Sequence, residues 1–343
     1  MRVRGYADGT PCWAAVATSN VEASRAFYSA LFGWEFVDGR FALEGRAVAG
    51  VRDRGHGPAA WLMSVSTDNA DQVTQVVERA RGHVRAAPQP TGPSLPAAVF
   101  GAVGGSGAAR GPGADGGSAP GTDGGSAPGA VGGSGAARGP GTDGGSAPGT
   151  DGGQGAAGGV GATGTDGPGP GALAASGLHG TEPAEGTAAI FSDPAGAIFS
   201  VWQRGTFGGA QVAMEPGAIC WYELATPDLA GADDFYSTVF GWRVHEAESA
   251  PGDPYFEFRH NDDAVAGLLP IDHRFPTRDM RAHWTVCFMV DDCAQSCDRA
   301  VDLGGVVARK PMTVATGWYA RLADPEGAHF AIIELAEELR MDF

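Results

Sequence analysis

The chain writes one phrase twice, and that repetition constrains its fold more than any other feature. CWAAVATSNVEASRAFYSALFGW, from Cys12, matches CWYELATPDLAGADDFYSTVFGW, from Cys220, with Cys-Trp, Phe-Tyr and Phe-Gly-Trp at the same spacing. WLMSVSTDNADQVTQVVERARGHV, from Trp61, parallels WTVCFMVDDCAQSCDRAVDLGGVV, from Trp284. DPAGAIFSVWQ at Asp193 returns as DPEGAHFAIIE at Asp324. The first two pairs each read as an alternating strand feeding a helix, and the third as a hairpin turning on Asp-Pro-x-Gly. Asn20 with Ser19 is the expected cap of the first helix, and Thr226 followed by Pro227 that of its counterpart. Gly33 and Gly241 supply left-handed stops. Two similar domains are predicted, each strand–helix–strands followed by strand–helix–strands.

The copies differ in length. Between Gly101 and Ile190 there is no aromatic residue, and 32 of the chain's 56 glycines fall between Gly101 and Gly180. Such a segment buries too little apolar surface to offset its ordering entropy and is expected to be disordered. It repeats internally, residues 104–125 and 132–153 differing only at Ala114 against Thr142. Aligning the copies places it inside one loop of the first. The expected organisation is a first domain of residues 8–94 plus 186–206, an insertion of 95–185, and a second domain of 215–337.

A formal charge of −17 argues against general binding of nucleic acid or anionic membranes, which needs clustered Lys and Arg. No apolar run approaches a membrane span, and MRVRGYADGTPCW lacks one of signal-peptide length. Five cysteines, an odd number, fit reduced thiols, so a cytoplasmic protein is expected. Cys293 and Cys297, four apart on a predicted helix, read as small packing residues because the first copy has Ala70 and Thr74 there. Cys12 and Cys220 are expected on the core-facing side of their strands. The Gly-rich stretches contain no phosphate-binding signature, and no ligand spacing joins His245, His260 and His273.

With these motifs in place, CWYELATPD, FYSTVFGW, DDCAQSCDRAVDLGGVV and ADPEGAHFAIIE together resemble the vicinal oxygen chelate superfamily. That family includes glyoxalase I, bleomycin-resistance proteins and extradiol dioxygenases, and the nearest likeness is to two-domain glyoxalase-like proteins often labelled hydroxylase. The resemblance covers nearly everything but the insertion and the termini. It implies an α+β fold of paired βαβββ modules, each pair curving around a cleft. It also implies where enzymes of the family place metal ligands: Trp13 and Trp221 on the first strand, near Leu62 and Thr285 after the midpoint, and Ser200 and Ala331 on the last. None of these is a good ligand for a divalent metal.

Strand alternation gives a second view of the clefts. In the second copy Trp221, Glu223, His283, Thr285, Cys287, His329 and Ala331 are expected on the cleft side, joined by Tyr319 and Arg321. In the first copy Trp13, Ala15, Leu62, Ser64, Ile198, Ser200 and Trp202 take those places, an apolar surface with almost no titratable chemistry. The leading expectation is a small, largely apolar or aromatic ligand held by Trp13, Trp221, Thr285, Tyr319 and Arg321, without a cofactor or tightly bound metal. The alternative is an enzyme in the second domain. It would use Glu223, His283 and His329 either as acid–base groups or as a displaced set of ligands for iron, zinc, manganese or nickel. A third reading is an assembly module with filled clefts. The domains are expected to pair within one chain or across a homodimer.

Overall fold

The computed structural model describes residues 2–53, 58–91, 184–247, 255–271 and 281–340. The first copy forms β1 (Pro11–Thr18), α1 (Val21–Phe32), β2 (Glu35–Val37), β3 (Arg40–Leu43), β4 (Arg46–Asp53), β5 (Ala60–Thr67), α2 (Ala70–Arg79), β6 (His83–Thr91), β7 (Gly186–Ser192) and β8 (Ile198–Arg204). The second forms β9 (Ile219–Thr226), α3 (Leu229–Phe240), β10 (Arg243–Glu246), β11 (Phe256–His260), β12 (Asp263–Pro270), β13 (His283–Met289), α4 (Cys293–Asp302), β14 (Val306–Val314), β15 (Gly317–Ala323) and β16 (His329–Leu335). A short α5 (Glu337–Arg340) follows.

Each copy makes one eight-stranded sheet, and the orders correspond strand for strand: β2-β3-β4-β1-β5-β8-β7-β6 and β10-β11-β12-β9-β13-β16-β15-β14. Within a sheet, β1 runs parallel to β4 and β5 parallel to β8, while β1 and β5 meet antiparallel at the centre. The unit is therefore a βαβββ module joined to its repeat, and the fold is α+β with two such pairs.

The long segment leaves and rejoins the first sheet at one hairpin. Thr91 pairs with Gly186, where the second copy closes with Val314 against Gly317 around two residues. Disorder was expected for residues 95–185, and of these all but Ala184 and Glu185 lie outside the described residues. Glu185, counted with the insertion in the sequence, belongs by its contacts to the folded domain. Its carbonyl accepts from Gly205 and Phe207, its N–H bonds Thr91, and its carboxylate pairs with Arg40.

Helix ends follow local chemistry with one correction. Asn20 caps α1 through the Ala23 N–H, and Gly33 and Gly241 end α1 and α3 at φ 74°. Asp228, not Thr226, caps α3: its carboxylate accepts from Gly231 N, while the Thr226 hydroxyl accepts from the Asp228 N–H one step earlier. The Asp228 carboxylate, next to the first helical turn after Pro227, reaches the orphan Gly231 N–H that Thr226 is too far upstream to meet.

The repeated phrases turn out to fasten the copies to each other. Tyr28 on α1 accepts from Trp61 Nε1 at 2.9 Å and donates to Asp324 of the second domain at 3.0 Å. Tyr236 on α3 accepts from Trp284 Nε1 at 2.9 Å and donates to Asp193 of the first at 3.2 Å. Both tyrosines are fully buried. The free oxygen of each aspartate holds its own hairpin turn, through Ala197 N and Ala328 N, each at 2.8 Å. Trp34 and Trp242 repeat the exchange, donating to the carbonyls of Gly217 and Gly9, which lead into the other copy's first strand. One hydrophobic cluster accordingly runs through both domains, with Phe27, Tyr28 and Phe32 against Phe288 and Phe330, and Phe199 against Phe235, Tyr236 and Phe240. Cys293 and Cys297 are buried in that same cluster.

Two strands break their alternation. The pairing of β1 with β5 slips between Pro11 and Trp13, and that of β9 with β13 slips at the matching place, between Cys287 and Phe288. A bulge adds one residue and reverses the face of what precedes it. Cys12 and Cys220, expected toward the core, therefore lie on the cleft side, Cys12 beside Trp13 and Cys220 beside Cys287.

Candidate functional site

The two clefts have different fates. In the first, Trp13, Leu62, Ile190 and Trp202 form the apolar wall that alternation placed there. The segment linking the domains lies on this wall. Phe207 packs edge-on against Trp13 and Trp202 at centroid distances of 5.0 and 6.0 Å, and its carbonyl accepts from Trp202 Nε1. Ala210 joins the cluster, with Tyr6 beside it donating to the Ala210 carbonyl. The chain thus fills most of its own first cleft. The expectation of almost no titratable chemistry is overturned at its edge, where Arg40, Arg52 and Glu185 gather.

The second cleft keeps its polar groups, and of the linker only Met214 reaches its cluster among the described residues. Glu223, central on β9, is 9% exposed. Its carboxylate accepts from Tyr319 on β15 at 2.8 Å and from Tyr255, just before β11, at 3.3 Å. Tyr255 in turn accepts from Trp221 Nε1 at 2.7 Å. Gly267 on β12 makes room for this chain of groups, since a Cβ there would run into the Tyr255 hydroxyl and lie 2.9 Å from the Trp221 indole. Burial raises the Glu223 pKa above the ordinary carboxylate value, with the Tyr319 hydrogen bond and the Arg321 charge pulling the other way. Burial, with Glu223 close by, also holds the Tyr319 and Tyr255 hydroxyls in their protonated, donating form.

Arg321 organises the neighbouring set. Its guanidinium donates to His283 Nε2 and to the Thr285 hydroxyl, both at 2.9 Å. Since arginine only donates, His283 Nε2 is an acceptor, and Nδ1–H donates to the Arg281 carbonyl at 3.0 Å. Burial, then the Arg321 charge, depresses the His283 pKa to about 4. His283 is neutral at physiological pH. His329 lies at the exposed start of β16 and makes no hydrogen bond to this network among the described residues, although burial and then the Arg321 charge lower its pKa.

Sequence reasoning therefore brought together Trp221, Glu223, Tyr319, Arg321, Thr285 and His283. It missed Tyr255, which sits 32 residues from Glu223 in the stretch before β11. Its position in the aromatic run PYFEF was the available signal.

The residues do not fit a divalent metal. Opposite Trp221 stands Cys287, and opposite Cys287 stands Ala331, so no row across the three central strands carries a ligand set. Among the described residues, no three His, Cys, Asp or Glu side chains converge as ligands would. The displaced set of Glu223, His283 and His329 is not assembled: His283 spends its Nε2 on a cation, and a second cation there would face Arg321.

Residues 221–333 match the family described as glyoxalase-like domain. The first copy, which has the same strand order, lies outside that match. Two curated relatives are the anthracycline biosynthesis proteins DauV of Streptomyces sp. (strain C5) and DnrV of Streptomyces peucetius. Each is 39% identical over 153 residues, 44% of this chain and 54% of the relative, so the match spans about half the length of those proteins. A manganese-bound glyoxalase from Novosphingobium aromaticivorans superposes with a TM-score of 0.49 at 15% identity, over 96% of this chain and 83% of that one. No helix among the described residues is long and apolar enough to cross a membrane.

Proposed function

We propose that the protein binds one small planar aromatic molecule bearing hydroxyl or carbonyl groups, in the cleft of its second domain and without a metal. The observation that carries this reading is the buried Glu223 carboxylate, held by two tyrosine hydroxyls beneath a half-exposed wall of Trp221, Tyr255 and Tyr319. Rings of this kind offer faces for stacking, and a few fixed polar groups set orientation. Glu223 accepts from a ligand hydroxyl, and Arg321 favours a carbonyl or phenolate oxygen. The names of DauV and DnrV point to a polycyclic aromatic ligand, which suits such a wall. The first cleft, filled by Phe207 and Ala210, serves as structure in this reading.

The test is tryptophan quenching by a hydroxyanthraquinone such as alizarin, on chelator-treated protein. Saturable quenching lost in Trp221→Ala and weakened in Glu223→Gln supports the proposal. Binding that needs added metal, or is indifferent to both substitutions, sinks it. A second reading rests on the upward shift of Glu223: a carboxyl poised nearer neutrality can act as a general base on an acidic C–H of the bound molecule. Deuterium entering the ligand from D2O, and failing to enter with Glu223→Gln, is the outcome that reading requires.

A further inference from the structure

Among the described residues, Arg52 is one of three side chains, with Arg25 and His260, that bury a polar atom without a hydrogen-bond partner. It lies on β4 at the edge of the filled first cleft and is 7% exposed, and its Nη1 is buried with no hydrogen-bond partner among the described residues. A buried cationic donor is ordinarily paired, because desolvation is costly unless something compensates it. The nearest charges do not supply that partner. Glu185 is engaged with Arg40, and the Arg40 guanidinium lies 4.4 Å over the Phe207 ring. Three charged groups thus leave one uncompensated positive charge. Burial lowers the Arg52 pKa only to about 10, with the attraction of Glu185 opposing it and the repulsion of Arg40 adding to it, so the charge persists at neutral pH.

The space beside it is defined. Arg52, Arg40, Glu185, Trp13, Trp202 and Phe207 line a cavity, so one carboxylate faces it together with two guanidinium groups, and a water-sized sphere can place its centre over about 10 Å³. That volume holds one particle of about that size. Trp13 adds a second donor. Its counterpart Trp221 gives its indole N–H to Tyr255, but the first copy has no tyrosine there, and the Trp13 N–H has no acceptor among the described residues. Both groups can only donate.

We propose that this cavity is a binding site for a small monovalent anion of halide size, held by Arg52 Nη1 with the Trp13 indole N–H and bordered by ring edges. Charge and space select together. A water molecule would satisfy the donors and leave the charge uncompensated. A sulfate or phosphate is too large, and a metal cation would meet two guanidinium groups. The bound anion would tie β4 to the linker at Phe207 and stabilise the folded form by mass action.

The experiment is thermal unfolding of the full chain at constant ionic strength, with sodium bromide replacing sodium gluconate, alongside bromide-soaked crystals read by anomalous scattering. The expected result is a saturable rise in Tm with bromide and none with acetate. One anomalous peak should lie within hydrogen-bond distance of Arg52 Nη1. Arg52→Met should lose both the response and the peak, and Arg52→Lys, which keeps the charge, should retain a weakened response. The proposal is overturned if wild-type protein shows no bromide-specific rise, if Arg52→Met responds like wild type, or if the cavity holds only water in the soaked crystal. The crystal result on wild-type protein decides the matter should Arg52→Met not fold.

Discussion

Tyr236→Phe removes one oxygen atom from the boundary between the two domains, and the structure says how much that atom is worth. The hydroxyl accepts from Trp284 Nε1 and donates to Asp193, and neither partner has solvent to turn to. Asp193 is 1% exposed and keeps only the backbone bonds of its own turn. Leaving a buried donor or acceptor unsatisfied costs about 1–3 kcal/mol each, so two orphans cost about 2–4 kcal/mol with partial relaxation. For a folded unit of this size that corresponds to a fall in Tm on the order of 4–16 °C. Urea unfolding followed by tryptophan fluorescence and circular dichroism measures it, with an unchanged m-value confirming that the folded state is the one altered. Tyr28→Phe makes the same two losses at Trp61 and Asp324 and should cost a similar amount. Asp193→Asn should cost less in a Tyr236→Phe background than in wild type, because the two share one bond. If Tyr236→Phe lay within about 0.5 kcal/mol of wild type, the range of ordinary surface changes, the exchanged tyrosines would not be what fastens the domains.

Three further outcomes are expected. His283 resists protonation down to about pH 4 when folded, whereas the unfolded chain takes up that proton near its ordinary value of about 6.5. The unfolded state therefore binds more protons in that window, and this group's share of stability is lost as pH falls through it. Urea midpoints across that range should slope less steeply for His283→Gln, and parallel slopes would contradict the neutral assignment. Gly267→Ala should push Tyr255 away from Glu223 and Trp221, changing tryptophan emission and weakening aromatic binding while the melting transition stays cooperative; unchanged emission would contradict the close packing at Gly267. Joining residue 94 directly to 184 should leave the first sheet intact, since Thr91 and Gly186 are already paired, whereas also removing Glu185 should lower stability by freeing Arg40 and two linker N–H groups. Equal melting temperatures for the two deletions would refute the role given to Glu185.

Much of the fold was legible because the chain states it twice. Phe-Gly-Trp at Gly33 and Gly241 fixes two helix ends, and the alternation of Trp284, Val286 and Phe288 fixes which face of β13 is core. The same alternation found most of the second cleft. It failed at Cys12 and Cys220, because a bulge has no residue signature in those strands and one extra residue reverses everything before it. The roles of Asp193 and Asp324 were hidden for another reason. Asp-Pro-x-Gly explains a local turn completely, so nothing in the sequence asks for a second partner across the domain boundary. Phe207 and Arg52 were missed because a linker's path and a buried charge's lack of a partner are long-range facts. Spacing along the chain does not carry them.

The central claim is that a single metal-independent aromatic site lies in the second domain, and calorimetric titration of alizarin into chelator-treated protein tests it most directly. The account expects one site per chain, unaffected by Trp13→Ala, abolished by Trp221→Ala, and with the same affinity when manganese, iron, zinc or nickel is restored. Two equivalent sites, loss of binding with Trp13→Ala, or binding that appears only with a metal would contradict it.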